Sequence, residues 1–567
     1  MTQKNTQSNK KWIVSGDPSP TGSPILDGLT NGASYAIKTK PSSLKSGQAS
    51  KLHNQGLSRN QFNHPVVKKW KDELPIPIYE DGFRKRIQED ILALIPTSSV
   101  VENIADHGAR DGEIAKDAFD SAIDSLPPGG RLIIPDGTYY LNDYTISKSL
   151  IVDCRGTLKR MNFGENGQTT STQIIKLEAP CVWDGGIMDG NRESWMSHGF
   201  TGRHYSIQVK AQCIIKNVTG LNSIRRTDHR RFRWSGFRIE DQAYLENCVS
   251  ERAVRGFNVQ PSNTMYKEDN DGTISEFKGV YFYKCRSNNY EEKGFGTGGT
   301  NGWIIVDDCG GYPAPYEEIR ADSLFLWETD SNISEGHQIT AMLHTVIMKN
   351  CNIKEWVQYY LIKSAQLKWM IFDHCDLTNY GLGWDQGAPS KIYFAQTKEN
   401  TVRQVGTSIL SFRSKFRCID YNDGQYPYNS SLAGKTFPIV CNEFDNREDL
   451  AAYQKNDRVT SIYFFDSELE CVKNEWYRGG HAWRVFWAEN TGFMVHETGE
   501  AFVWSEEDGD QFVDKFVFDN CTFTDTDGNR TWIFDSRGDI SEDSLIIINA
   551  KGNPRVGLSE FSHLETF

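Results

Sequence analysis

The sequence predicts an all-β solenoid, a right-handed parallel β-helix, with an N-terminal low-complexity anchoring segment and a short capping helix. Two observations lead there. The first is a recurring phrase: apolar, any, apolar, polar, a turn former, then cysteine. It runs through Ala243-Tyr244-Leu245-Glu246-Asn247-Cys248 and, more loosely, Val280 to Cys285, then Ile304 to Cys309, Val346 to Cys351, Met370 to Cys375 and Phe516 to Cys521. The second is its spacing. Cys285 to Cys309 and Cys351 to Cys375 are each 24 residues apart, and a fixed period in this range marks a repeat architecture.

Each element of the phrase has a physical role. The alternating apolar pair is a short strand burying one face. The polar and Asn/Asp positions make a tight corner, because asparagine tolerates unusual backbone angles. Cysteine, a small hydrophobe, then starts the next strand facing inward.

The 567 residues exceed the usual domain length several-fold, yet a solenoid extends without limit because each coil contacts only its neighbours. Aromatic residues make up 12% of the chain, with 15 Trp and 23 Tyr, enough both to fill a core and to line a surface that stacks on sugar rings. No apolar run reaches 18 residues, so no membrane span is expected. Met1 to Trp12 is polar and lacks the apolar core of a secretory signal. The 12 cysteines contain no Cys-x-x-Cys spacing, and half of them end the phrase at its inward position. They read as reduced core residues of a protein made in a cytoplasm, with no metal site.

Charge is unevenly spread. Residues 1–71 hold 11 Lys and Arg against 2 Asp and Glu, although the whole chain has a formal charge of −13. A basic arm on an acidic body suggests a separate task for the arm, such as docking to an acidic partner. Residues 1–78 therefore read as an anchoring segment rich in Ser, Gly, Asn, Pro and Lys, poorly ordered when alone. Residues 79–104 read as a helical linker, with an amphipathic helix over 81–95 that could pack on the body or on its copies in a trimer. The β-helix body is expected over 105–550, with a sub-section starting near 459, and 551–567 reads as a tail.

A second motif opens the body. Ala105-Asp106-His107-Gly108-Ala109-Arg110-Asp111-Gly112 leads to a helix expected over about 114–126, then Pro127-Pro128-Gly129-Gly130, a strand at Arg131 to Ile134, and Pro135-Asp136-Gly137-Thr138-Tyr139. The helix would cover the open end of the first coil, which otherwise exposes strand edges. Residues 106–141 resemble the opening motif of the pectate-lyase-like β-helix superfamily, in the version common in phage tailspikes. They depart from it by one residue, with Arg110 alone between Ala109 and Asp111. The resemblance implies a virion appendage, synthesised in the host cytoplasm and assembled as a homotrimer. Residues 1–75 would dock to phage tail or adaptor proteins, and the body would bind a host cell-surface polysaccharide. Cleavage would be by hydrolysis, with no cofactor and no nucleic-acid partner. A polysaccharide lyase of the same fold and a non-enzymatic adhesive virion protein remain open alternatives.

Familiar catalytic motifs are absent. Gly294 to Gly299 fits a dinucleotide-binding pattern but precedes a strand instead of opening a helix, and reads as a surface loop. Asp269-Asn270-Asp271-Gly272 resembles half a calcium loop, but Lys278 stands where the bidentate Glu is needed. Paired carboxylates are the stronger signal, since glycoside hydrolysis needs an acid for the leaving oxygen and a carboxylate for water. Trp327-Glu328-Thr329-Asp330 sets Glu328 and Asp330 at i and i+2, on one face of a strand about 6.5–7 Å apart. Two solvated acids on an exposed strand have the same pattern. Trp327 offers a stacking surface, though strand alternation turns it to the opposite face.

Asp307 and Asp373, each two places before a repeat cysteine, form a second candidate, because equivalent positions in adjacent coils lie about 4.8 Å apart. Asp is also an ordinary turn residue there. Trp384 and Asp385 in a Gly-rich loop complete the acidic candidates. Arg230 and Arg231, within Arg225 to Arg233, form the densest basic run of the body, suited to carboxylate or sulfate groups of a glycan or to acids of a neighbouring subunit.

Overall fold

The computed structural model describes residues 64–198 except 168, 204–223, 235–298 except 263, 264 and 270, then 302–314, 323–327, 343–355, 360–364, 367–379 and 391–394. Beyond these it describes 408–418, 439–441, 460–471, 482–495, 501–505, 512–525, 531–536, 545–548, 551–552 and 554–558, with short strands at 13–15 and 36–38. The chain divides into two compact units. One holds residues 74–404 with 421–433, the other residues 1–73, 405–420 and 434–567.

The unit built on 74–404 is a right-handed parallel β-helix with three faces per coil. Strands of the first face include Cys213–Lys216, Ala243–Glu246, Gly279–Tyr283, Trp303–Asp307, Leu343–Lys349 and Leu367–Asp373, all parallel and in register. The second face follows after a two-residue corner, as in Val249–Glu251 and Arg286–Tyr290. The third face, which matters most for function, contains Gln173–Leu177, Tyr205–Val209, Ser235–Ile239, Arg255–Val259, Lys293–Thr297 and Ser323–Trp327.

The corner before each repeat cysteine is left-handed. Asn247, Lys284, Asp308, Asn350 and His374 all have φ between 51° and 55°, a region favoured by Asn and costly for other side chains. Asn217 at the same corner donates to Asp184 Oδ1 (2.6 Å), and Asn247 donates to Asn217 Oδ1 (3.2 Å), so the corners are laced along the axis. The cysteine thiols point inward and donate to a carbonyl of the preceding coil: Cys248 to Ile215 (3.5 Å), Cys285 to Leu245 (3.7 Å), Cys351 to Val306 (3.6 Å) and Cys375 to Met348 (3.3 Å). The nine cysteines with described side chains are buried free thiols. In the second unit Ser414, Ser467 and Thr491 occupy the same station, with hydroxyls donating to the carbonyl two residues back. A small buried side chain, rather than cysteine itself, is what the corner selects, since Val218 fills the same station after Asn217.

The interval Cys309 to Cys351 contains one coil with inserts, since Trp303–Asp307 pairs directly with Leu343–Lys349. Much of the interval Cys375 to Cys418 lies outside the described residues. Core filling is aromatic. Phe237, Phe257, Phe295 and Phe325 stack along the inner side of the third face with centroids 4.7, 4.8 and 5.2 Å apart.

The opening motif works as a cap. The helix runs Lys116–Ser125 and buries Ala118, Phe119, Ala122 and Ile123, with Phe119 edge-on to Tyr144. Asp111 Oδ1 accepts from the Thr138 amide (2.6 Å), and the Gly112 amide donates to the Thr138 carbonyl (2.7 Å), tying the motif's two halves together. Gly129 has φ +83°, and a Cβ there would meet the Pro96 carbonyl.

The helix expected over 81–95 runs Phe83–Leu92 and packs on the outside of the first face. Phe83 meets Trp303 edge-on, Arg84 lies 4.0 Å from the Tyr283 ring, and Lys216 donates to Gln88 (3.0 Å). Its apolar side is thus occupied by its own body. Parallel pairing begins at Val101–Asn103, inside the segment expected as linker. Strand Pro554–Leu558 pairs with Thr531–Ser536 where a tail was expected. A further helix, Pro65–Glu73, went unread because its apolar residues are few; it buries Val67 and Trp70. Among the described residues no helix is long and apolar enough to cross a membrane.

Candidate functional site

The third face is where the fold gathers polar chemistry. Its strands share a second phrase, polar-Gly-Phe-polar-β-branched, seen in Ser235-Gly236-Phe237-Arg238-Ile239 and Arg255-Gly256-Phe257-Asn258-Val259. The ladder pairs Tyr205 with Ser235, Arg255 and Lys293, then skips one residue and resumes at Ile207, Phe237, Phe257 and Phe295. The skipped residue also faces the core. A Cβ on Gly236 would come within 2.2 Å of Ser250 Oγ, and one on Gly256 within 2.0 Å of Ser287 Oγ, so a side chain at either position would have to displace its neighbours.

Residues on either side of this inward pair then turn outward. Arg238 reaches the Tyr205 hydroxyl, and a Cβ on Gly296 would strike the Lys293 side chain, which shows both outward positions of a strand sharing one surface. Tyr205, Gln208, Ser235, Arg238, Arg255, Asn258 and Lys293 therefore form two outward rows, about 4.8 Å apart from coil to coil.

These rows are well withdrawn from water: Tyr205, Gln208, Ser235, Asn258 and Lys293 are each at most 9% exposed. Charges in such a place persist only when paired. Arg238 contacts Glu240 at the end of its own strand, and Gln208 donates to the same carboxylate (2.6 Å). Arg255 grips Glu292 through two nitrogens, Nε at 2.9 Å. Arg192 donates to Glu291 (3.0 Å), crossing several coils along one edge of the face.

Arg192 belongs to an inserted helix, Arg192–Met196, which walls that edge. The insert is held by Trp195, whose ring lies 3.2 Å beneath the Arg160 guanidinium and whose indole donates to the Met161 carbonyl (2.8 Å). Burial lowers Arg160 to about 8. At the other edge, the connection to the first face carries a hairpin, Tyr266–Glu268 with Ile274–Phe277. Its turn contains the half calcium loop. Asp271 accepts from the Thr273 amide (2.9 Å) and Gly272 has φ +85°, so these residues shape a turn.

Several sequence expectations meet this geometry. Lys293–Thr297 is a strand of the third face, not the loop expected over 294–299, because its glycines face Leu324 and Lys293 where side chains cannot fit. Trp327 is no stacking surface for a ligand: it is fully buried and packs on Phe325 with centroids 5.7 Å apart. Asp307 and Asp373 do not form an adjacent-coil pair. The register runs Asp307, Lys349, Asp373, which puts a lysine between them and the two acids roughly 9.6 Å apart. Asp307 is buried and accepts from Tyr281 Oη (2.8 Å) and Asn350 Nδ2 (2.9 Å), with Lys349 Nζ at 3.4 Å. Asp373 lies 2.9 Å from the neighbouring His374 Nδ1. Both sit on the first face, away from the polar rows. Glu328, Asp330, Trp384, Asp385, Arg230 and Arg231 lie outside the described residues.

Residues of the polar rows escaped the sequence reading, which tracked cysteine. Their signal was available in the Gly-Phe phrase, whose polar flanks alternate with a buried aromatic. Among the described residues no cluster of His, Cys, Asp or Glu has the arrangement of a metal site.

No family model matches the chain, and no curated protein matches its sequence. Solved structures with a similar course exist. PfbA, a surface adhesin of Streptococcus pneumoniae, is 11% identical, with 81% of this chain and 91% of that one covered and a TM-score of 0.29. The Dettilon tailspike protein is 13% identical, covering 80% and 68%, with a TM-score of 0.25. A ι-carrageenase complexed to ι-carrageenan fragments is 10% identical, covering 83% and 94%, at 0.25. The class this protein belongs to by fold, the parallel β-helix, rests on its own in-register parallel ladders, and no site residue is carried over from these structures.

Proposed function

We propose that this protein is a tailspike-like virion component that binds a host-surface polysaccharide along the third face and hydrolyses it. The observation that carries the reading is the pair of outward polar rows on Tyr205–Val209, Ser235–Ile239, Arg255–Val259 and Lys293–Thr297, walled by inserts at both edges. Planar amide, guanidinium and phenol groups repeating every 4.8 Å suit a repeating chain of hydroxyls. In this reading Glu328 and Asp330 supply the acid and the base. Glu328 is the first residue after the strand ending at Trp327, as Glu240 is the first after the strand ending at Ile239. Residues 1–75 dock to the phage tail, and three copies assemble.

A second reading, adhesion without cleavage, is favoured by one feature: Glu240, Glu291 and Glu292 are each engaged by an arginine, so the described rows bind rather than cleave. The test is incubation with host-envelope polysaccharide and mass spectrometry of the released fragments. Saturated repeat units that vanish in Glu328→Gln and Asp330→Asn support hydrolysis by this pair. Fragments lighter by one water indicate a lyase. Retention without release indicates an adhesin.

A further inference from the structure

The last coils of the second unit are closed by the opposite end of the chain. Their first-face ladder runs parallel through Ser408–Phe412, Thr460–Phe465, Ala482–Glu489, Phe512–Asp519 and Leu545–Ile548. The next strand is Ala36–Lys38, laid antiparallel on Leu545–Ile548, with Ala36 opposite Ile548, Ile37 opposite Ile547 and Lys38 opposite Ile546. Ile13–Ser15 pairs antiparallel with the far side of Ala36–Lys38. At the root of the arm, His64 stands in the cage of Tyr463, Phe465 and Trp487, and the helix that follows buries Val67 and Trp70. The arm thus meets the same unit at two separated points of its sequence.

Charge favours this placement. Residues 1–71 hold 11 Lys and Arg against 2 Asp and Glu, whereas residues 434–567 hold 12 against 26. Opposite net charges on two parts of one chain draw them together. The strand beneath the arm also calls for a cover. Leu545-Ile546-Ile547-Ile548 is a run of β-favouring apolar residues with no charge and no proline, and an open edge of that kind pairs with a strand of another molecule. We propose that the acidic partner of the basic arm is this chain's own last coils, and that the arm guards the edge of Leu545–Ile548 against strand pairing with a second copy. The inference goes beyond the function proposed above and does not rest on polysaccharide binding; docking of residues 1–75 to a phage tail would start from an arm already seated on its own body.

The test joins arm and edge covalently in the full-length protein. Either kind of antiparallel pair sets opposed Cα atoms about 4.5–5.5 Å apart, within the range a disulfide spans. Ala36→Cys with Ile548→Cys, oxidised with copper phenanthroline and digested, should give a linked peptide pair from positions 36 and 548, in a band that runs as one chain on non-reducing gels. Ala36→Cys with Leu545→Cys, displaced along the strand by about 10 Å, should link about tenfold less. The guard is read separately. Consecutive residues of a strand point their N–H groups to opposite sides, so one of Ala36→Pro and Ile37→Pro removes an N–H aimed at Leu545–Ile548. That variant should keep the far-UV circular dichroism of the parent and gain mass in sedimentation velocity, about twofold or more over a tenfold rise in concentration. No link between 36 and 548, or a link that joins two chains, overturns the pairing of the arm with its own body. Linking within one chain while both proline variants keep the parent's mass overturns the guard.

Discussion

Replacing Glu240 by Leu leaves the Arg238 guanidinium, whose side chain is only 15% exposed, without its carboxylate, and removes the acceptor of Gln208 Nε2. Breaking a buried pair from one side costs about 3–5 kcal/mol, whereas replacing both members with apolar groups of similar size is close to neutral. Partial exposure of Arg238 places the single-mutant cost near the lower figure, about 3 kcal/mol. Arg238→Met should cost a similar amount, since it strands a carboxylate that is 3% exposed. The double variant should then lose no more than about 1 kcal/mol, giving a coupling energy of several kcal/mol between the two sites. Hydrogen exchange of the amides in Ser235–Ile239 reads this directly, because local opening free energies report the strand that carries the pair. Each single variant should speed exchange about a hundredfold, and the double variant much less. If the double variant loses the sum of the single effects, the pair is not coupled, and the argument that its charges are neutralised by one another fails.

Other outcomes follow from the same packing. His64 is caged by Tyr463, Phe465 and Trp487 at 5.0–5.8 Å, and burial lowers it from 6.5 to about 4. Above pH 6.5 the ring is neutral folded or unfolded, so stability does not depend on it. Between 6.5 and about 4 only the unfolded form takes the proton, and about 3 kcal/mol is lost as pH falls. Exchange protection of helix Pro65–Glu73 should decline across that window, and His64→Phe should flatten the decline. Lys284 holds a left-handed corner where other coils use Asn, and Lys284→Asn should raise the unfolding free energy by about 0.5–1 kcal/mol in urea titrations. Phe257→Ala opens the aromatic stack at its centre and should cost about 3–5 kcal/mol by the same measurement. Burial pushes the Cys154 thiol up to about 12 and Cys285 and Cys375 well above 9. Alkylation with iodoacetamide at pH 8 followed by peptide mapping should leave these three unmodified until denaturant is added.

What the sequence determined by itself is whatever depends on neighbours along the chain. The strand, left-handed corner and inward thiol of the cysteine phrase are local: a turn former, an αL backbone and a small buried side chain lie within six residues. The cap at 106–141 is local in the same sense, its halves joined by Asp111 and the Thr138 backbone. Pairing between coils decided the rest. Whether Asp307 and Asp373 meet depends on how many coils separate them, and the inserts between Cys309 and Cys351 conceal that Lys349 intervenes. Trp327 and Gly296 have similar chances of facing solvent by composition; only the skipped residue in the third-face ladder sends one inward and aligns the other with Lys293. The polar rows exist because that skip repeats in four successive coils, which gathers Tyr205, Ser235, Arg255 and Lys293 from positions 20–38 residues apart into one line. Distances of that kind are set by the spacing of hydrogen-bonded strands, a property of the folded sheet that no window of sequence contains.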